Sequence, residues 1–172
     1  MAADKITIEK IKILHPKIRK EVLDMYNYVN EKLLGKGVRL RFTSTYRTPE
    51  EQDKLFKQKP KVTNAKAWQS IHNYGLALDI VLLYDLDSNG TFETVSWDMN
   101  KDFDKDKSAD WMEVVNYFKS KSYEWGGDWK FKDGPHFEIR YGHSWKELKS
   151  KIDLGDYVTQ IINGIKIKYV NL

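Results

Sequence analysis

Gly75-Leu76-Ala77-Leu78-Asp79-Ile80-Val81-Leu82-Leu83 is an apolar run broken by a single carboxylate. A run of this length and composition reads as a buried strand. An isolated carboxylate within it would be costly to desolvate, so Asp79 must be neutral, paired or bound to a cation. Two imidazoles are candidates for that pairing: His72, seven residues upstream, and His136 in Asp133-Gly134-Pro135-His136-Phe137-Glu138. Two imidazoles and one carboxylate make three protein ligands, the number a catalytic zinc takes while one position stays open to water.

Seven is an odd interval, so one straight strand would aim His72 and Asp79 at opposite faces. His72 is therefore expected on the loop before the strand, with Gly75 allowing the bend. His136, Glu138 and Arg140 share one face of a second expected strand, His136 to Tyr141. If both strands join one sheet, His136 comes opposite Asp79. Spacing alone leaves two readings open, a metal site and a set of satisfied core side chains. For His15 and His143 the second reading is preferred.

Around this centre, Ile18 to Leu34 carries apolar residues at helical spacing, with Pro16 at its start and Gly35 at its end. Gly37 to Ser44 alternates as a half-buried strand, and Thr48-Pro49-Glu50-Glu51 opens a helix running to about Lys57. Thr91 to Trp97 reads as a strand. Ser108 is expected to cap a helix over Ala109 to Ser120, and Ser144 to Lys151 a short one. Tyr157 to Tyr169 should fold back at Asn163-Gly164. The pattern predicts one α+β domain with a small, mostly antiparallel sheet and flanking helices. Residues 1–143 would form the catalytic body, with 144–172 a helix-plus-hairpin tail packed on it.

The 172 residues suffice for a real core, and 31% charged with 41% hydrophobic content is ordinary for a globular domain. No cysteine is present, so disulfides and thiolate metal sites are excluded. A transition-metal site must use His, Asp and Glu. The net charge of +4 comes from 29 bases against 25 acids without a dense basic block. That favours an anionic surface such as a cell wall over nucleic acid. The N-terminus carries acids and no continuous apolar core, so it does not read as a signal peptide, and no stretch is long enough to span a bilayer. The expectation is a monomer without membrane or nucleic-acid partners. It would be cytoplasmic until released to the wall, unless an export leader has been trimmed away.

Ser70-Ile71-His72-Asn73-Tyr74-Gly75-Leu76-Ala77-Leu78-Asp79 resembles the Ser-x-His-x-x-Gly-x-Ala-x-Asp motif of zinc D-alanyl-D-alanine carboxypeptidases and L-alanyl-D-glutamate peptidases. Trp125-Gly126-Gly127 followed by Asp133-Gly134-Pro135-His136-Phe137 resembles the second signature of that family. Thr43-Ser44-Thr45-Tyr46-Arg47-Thr48, followed by Gln52, resembles its arginine segment. The three occur in order within roughly residues 10 to 142. The resemblance implies a hedgehog/D-Ala-D-Ala-peptidase-like fold with Zn²⁺ on His72, Asp79 and His136. It makes Asp133 the general base and Arg47 the cation that stabilises the oxyanion. The plainer readings are a turn-capping Asp133 and a surface ion pair at Arg47. Ser70 and Trp129 would line the substrate groove, and Glu138 would orient a ligand imidazole.

The implied activity is hydrolysis of a peptide bond in peptidoglycan stem peptides, with L-alanyl-D-glutamate preferred, as in endolysins. A D-alanyl-D-alanine carboxypeptidase or dipeptidase is the alternative among enzymes. A zinc-containing wall-binding module without turnover is the alternative outside them.

Two acidic loops complete the reading. Asp85, Asp87 and Asn89 alternate before Gly90, as in a calcium loop, although position twelve is Ser96 and no helices flank it. Asp102, Asp104, Asp106 and Ser108 also alternate, but Lys107 takes the glycine position. Attraction of acids to a helix N-terminus accounts for that second loop.

Overall fold

In the computed structural model, which describes residues 4–172, the apolar run forms β2 (Ala77–Tyr84) at the centre of a five-stranded sheet. Its neighbours are β1 (Val38–Ser44) on one side and, on the other, β3 (Thr94–Ser96) and β5 (His136–Glu138) at opposite ends. β4 (Glu124–Trp125) extends the sheet beyond β5, and every pairing is antiparallel. The α+β class predicted from the sequence is the architecture observed.

Because side chains alternate along a strand, Leu78, Ile80, Leu82 and Tyr84 enter the main core while Asp79 points the other way. That core also takes Phe42 from β1 and Phe137 from β5. Phe118 of α4 (Asp110–Ser120) lies 6.4 Å from the ring of Phe42 and 5.0 Å from that of Phe137. Ile18, Val22 and Met25 of α2 (Pro16–Tyr28) are buried there too, as the apolar spacing requires.

Several elements depart from the sequence reading. The expected helix to Leu34 is α-helical only to Tyr28, and a π-helical turn carries the chain from Val29 to Leu33. Within that turn Asn30 accepts from the Leu40 amide and donates to the Tyr26 carbonyl, tying the turn to β1. α1 (Lys5–Lys12) was not foreseen; Asp4 caps it and pairs with Arg41 of β1. Ser108 does not cap α4: Ala109 holds that position, and the Ser108 amide is drawn back to Asp106. The strand expected to Tyr141 stops at Glu138, because its partner β2 starts at Ala77, opposite Glu138.

α3 (Pro49–Lys57) begins with the Thr48–Glu51 capping box that its sequence predicts. Residues 144–172 form α5 (Trp145–Asp153) and the hairpin β6 (Tyr157–Ile162) and β7 (Ile165–Val170), turning through left-handed Asn163 and Gly164. Leu148 and Val170 are buried in the main core, and Tyr169 donates to the Ile13 carbonyl. His15 is a structural residue: it caps α2 through Nδ1 and places Nε2 2.8 Å from the Val170 carbonyl. Among the described residues no helix is long and apolar enough to cross a membrane.

Candidate metal centre

Register builds the site. Asp79 of β2 stands directly opposite His136 of β5, and directly opposed residues share a sheet face. On its other side a bulge in β1 between Phe42 and Ser44 brings Ser44 opposite Asp79. His72 arrives from a 3₁₀ turn (Ile71–Tyr74) that ends at Gly75 with φ of 67°. A Cβ on Gly75 would sit 2.7 Å from the His15 amide nitrogen, so the bend needs glycine for both conformation and space.

The three side chains meet edge to edge. His72 Nε2 lies 3.2 Å from Asp79 Oδ1 and 3.2 Å from His136 Nδ1, while His136 Nδ1 lies 3.1 Å from Asp79 Oδ1. The outward nitrogens decide what faces inward. His72 Nδ1 is 2.6 Å from the Thr45 carbonyl, which can only accept, so that nitrogen carries the proton. His136 Nε2 is 2.8 Å from the Glu138 carboxylate and is the donor there. In neutral imidazoles both inward nitrogens are then bare lone pairs facing a carboxylate oxygen.

Three acceptors this close repel unless a positive charge lies among them. A tetrahedral zinc bonded at about 2.0–2.1 Å holds its donors roughly 3.3 Å apart, close to the three separations observed. The donor set therefore fits the ion. Titration points the same way. Burial alone would lower the His136 pKa, yet the Asp79 and Glu138 carboxylates overcome it and raise it to about 9. Burial works to raise Asp79, and the two imidazoles outweigh it and hold the acid well below the usual carboxylate range. A proton on His136 takes the place of the cation when none is bound.

Arg47 approaches from the β1–α3 connection. Its guanidinium donates to Gln52 at 2.9 Å and to Ser44 at 3.1 Å, and lies 3.6 Å from Asp79 Oδ2. Gln52 is fully buried and fixed in turn by donating to the Ala65 carbonyl. Asp133 is carried by a loop whose closure needs Gly126: a Cβ there would fall 2.4 Å from the Asp133 carbonyl. Partial burial raises the Asp133 carboxyl above its ordinary pKa; His136 opposes the rise and Asp79 adds to it. Trp129 sets its ring 5.1 Å from that of His136.

His72, Asp79, His136, Arg47, Asp133, Ser70 and Trp129 all line one cavity of about 570 Å³. The structure thus brings together every residue expected at the zinc and substrate site. Asp85, Asp87 and Asn89 lie elsewhere, beyond the far end of β2. There Asp85 and Asp87 come together with Glu93, the last acid of the same alternating run. Asn89 turns its oxygen to Thr91 rather than toward the acids. The Thr45 carbonyl was also missed, since a backbone acceptor leaves no mark in a sequence. Gln52 was seen only through the motif that contains it.

Residues 63–139 match the family described as D-alanyl-D-alanine carboxypeptidase. A curated relative, peptidoglycan L-alanyl-D-glutamate endopeptidase CwlK of Bacillus subtilis (strain 168), is 42% identical over 111 residues. That alignment covers 61% of this chain and 63% of the relative, so the chain spans under two thirds of the relative's length.

Proposed function

We propose that the chain, whose residues 63–139 match the family described as D-alanyl-D-alanine carboxypeptidase, is a zinc-dependent peptidase of peptidoglycan stem peptides. The bond we assign is L-alanyl-D-glutamate, in keeping with the activity named for the Bacillus subtilis relative. The observation that carries the reading is the triangle of His72, Asp79 and His136, with both outward imidazole nitrogens already committed as donors. The three inward donor atoms repel unless a proton on His136 or a metal ion lies among them, and their spacing fits zinc.

In this reading His72, Asp79 and His136 would hold zinc, which would supply a water of pKa near about 7 and Lewis acidity toward the scissile carbonyl. Asp133 takes the proton of the attacking water and returns it to the leaving amine. Its raised pKa suits both halves of that task, because a stronger acid would accept the proton less readily. Arg47 faces the oxyanion of the tetrahedral intermediate as a permanent cation, held in aim by Gln52 and Ser44. Glu138 and the Thr45 carbonyl hold the two imidazoles in the tautomers that ligation needs. Trp129 and Ser70 form cavity wall against which a stem peptide packs. Residues 1–143 make up the catalytic body, and 144–172 serve it as a packed appendage.

The family description favours a second reading, removal of a terminal D-alanine. Digestion of purified muropeptides followed by mass analysis separates the two. Release of N-acetylmuramoyl-L-alanine supports the endopeptidase, loss of one alanine mass supports the carboxypeptidase, and intact muropeptides refute both.

A further inference from the structure

We propose that Asp102–Glu113, outside the catalytic cavity, is a calcium-binding loop whose ligands come from Asp102, Asp104, Asp106, Asp110 and Glu113. Their carboxylate oxygens gather in two overlapping sets, Asp102 with Asp104 and Asp110, and Asp104 with Asp106 and Glu113. Within each set the oxygens lie inside 4.8 Å of one another. Asp104 belongs to both, so the two sets adjoin one another.

An acidic cluster ahead of a helix is ordinary, and the N-terminus of α4 would attract acids without any ion. Two buried oxygens exceed what that attraction explains. Asp110 is fully buried; its Oδ2 accepts from the Tyr84 hydroxyl at 2.9 Å and the Phe103 amide at 3.1 Å, while Oδ1 has no partner. Glu113 Oε2 is likewise buried and unbonded. A carboxylate oxygen taken from water without a partner is costly, and native folds seldom leave one so. Nor does a base compensate, for among the described residues none of the five acids forms an ion pair. Lys105 and Lys107 lie within the loop without pairing to these acids, and Lys101 lies over the rings of Tyr84 and Phe103. Burial first, and then Asp106 and Asp104, push the Glu113 pKa up to about 7.

Spacing agrees with the geometry. Counted from Asp102, the acids and Ser108 occupy positions 1, 3, 5, 7, 9 and 12 of a twelve-residue loop, with Glu113 where a bidentate glutamate closes a calcium site. The sixth position, normally glycine, is Lys107, which nevertheless adopts φ of 81°. The amides of Asp106 and Lys107 fold back onto Asp102. An all-oxygen set with flexible geometry suits calcium, whereas magnesium demands a stricter octahedron and sheds water reluctantly. The loop at Asp85 makes a built-in comparison. Its twelfth residue is Ser96, which supplies no carboxylate to close a calcium site.

The test is titration of CaCl2 into zinc-loaded protein, read by calorimetry and by thermal melting. Saturable heat at one equivalent and a higher Tm are expected, with MgCl2 binding at least tenfold more weakly. Glu113→Gln and Asp102→Asn should each weaken calcium at least tenfold, while Asp87→Asn leaves that site unchanged. Removing one charge from a crowd of five should not unfold the chain, and either variant alone is informative. No heat and no shift in Tm at millimolar calcium would overturn the proposal. So would binding that survives both loop variants, binding lost in Asp87→Asn instead, or magnesium binding equally well.

Discussion

Glu138→Gln is the substitution whose effect on the metal centre follows most directly from the geometry. Glu138 is buried, and its Oε2 accepts a hydrogen bond from His136 Nε2 at 2.8 Å. Glutamine keeps the shape and can still accept through its amide oxygen, but loses the charge. A hydrogen bond to a charged group contributes about 1.5–3 kcal/mol net against about 0.5–1.5 for a neutral one. The difference, roughly 1–1.5 kcal/mol, corresponds to about tenfold in zinc affinity. That lies at the lower edge of the roughly 10–100-fold seen for residues that orient metal-bound imidazoles.

The size of the loss should depend on pH. With its folded pKa raised to about 9, His136 holds a proton at pH 7 in the metal-free protein, and metal must displace it. Glu138 is one of the groups that raise that pKa, so glutamine also eases deprotonation and offsets part of the loss. Above pH 9 the proton is already gone and the offset disappears. Competition with a chromophoric chelator at pH 7 and at pH 9.5 should therefore find a smaller deficit at pH 7. Equal affinity for variant and parent at both values would refute the role given to Glu138.

Asp133→Asn should retain zinc while kcat/KM falls by about 10²–10⁴-fold, the usual worth of a general acid–base group; a fully active variant would remove Asp133 from the mechanism. In the parent enzyme, kcat/KM should fall as pH drops through the Asp133 pKa, and the direction of its shift puts that acidic limb above the ordinary aspartate value of 3.8. Gln52→Ala frees the Arg47 guanidinium, and about a tenfold loss in kcat with KM little changed is expected, since the oxyanion exists only beyond the ground state. Gly75→Ala meets both a left-handed backbone and the His15 amide; chemical denaturation should show a loss of about 2–5 kcal/mol.

What could be read ahead of the structure divides along physical lines. The centre of the sheet was legible because Leu76 to Leu83 is too apolar to be anything but buried, and its lone acid demanded partners. α3 and the β6–β7 turn were legible because a capping box and an Asn-Gly pair encode geometry locally. The end of β5 was not, because a strand stops where its antiparallel partner begins, and the Gly75 bend holds the start of β2 at Ala77. Tertiary demands also hid the π-helical turn at Val29 and the displacement of Ser108 from its capping position. In the second acidic loop, Lys107 stands where a calcium loop has glycine, and a sequence does not show that this lysine adopts the left-handed conformation. The cost of a left-handed lysine is modest beside that of two buried oxygens left bare.

The central claim is that one transition-metal ion sits among His72, Asp79 and His136. Elemental analysis of the purified chain beside its His136→Ala variant tests it most directly. One equivalent of zinc in the parent and almost none in the variant is the predicted result. A parent without firmly held metal, or a variant that keeps its full equivalent, would contradict the account.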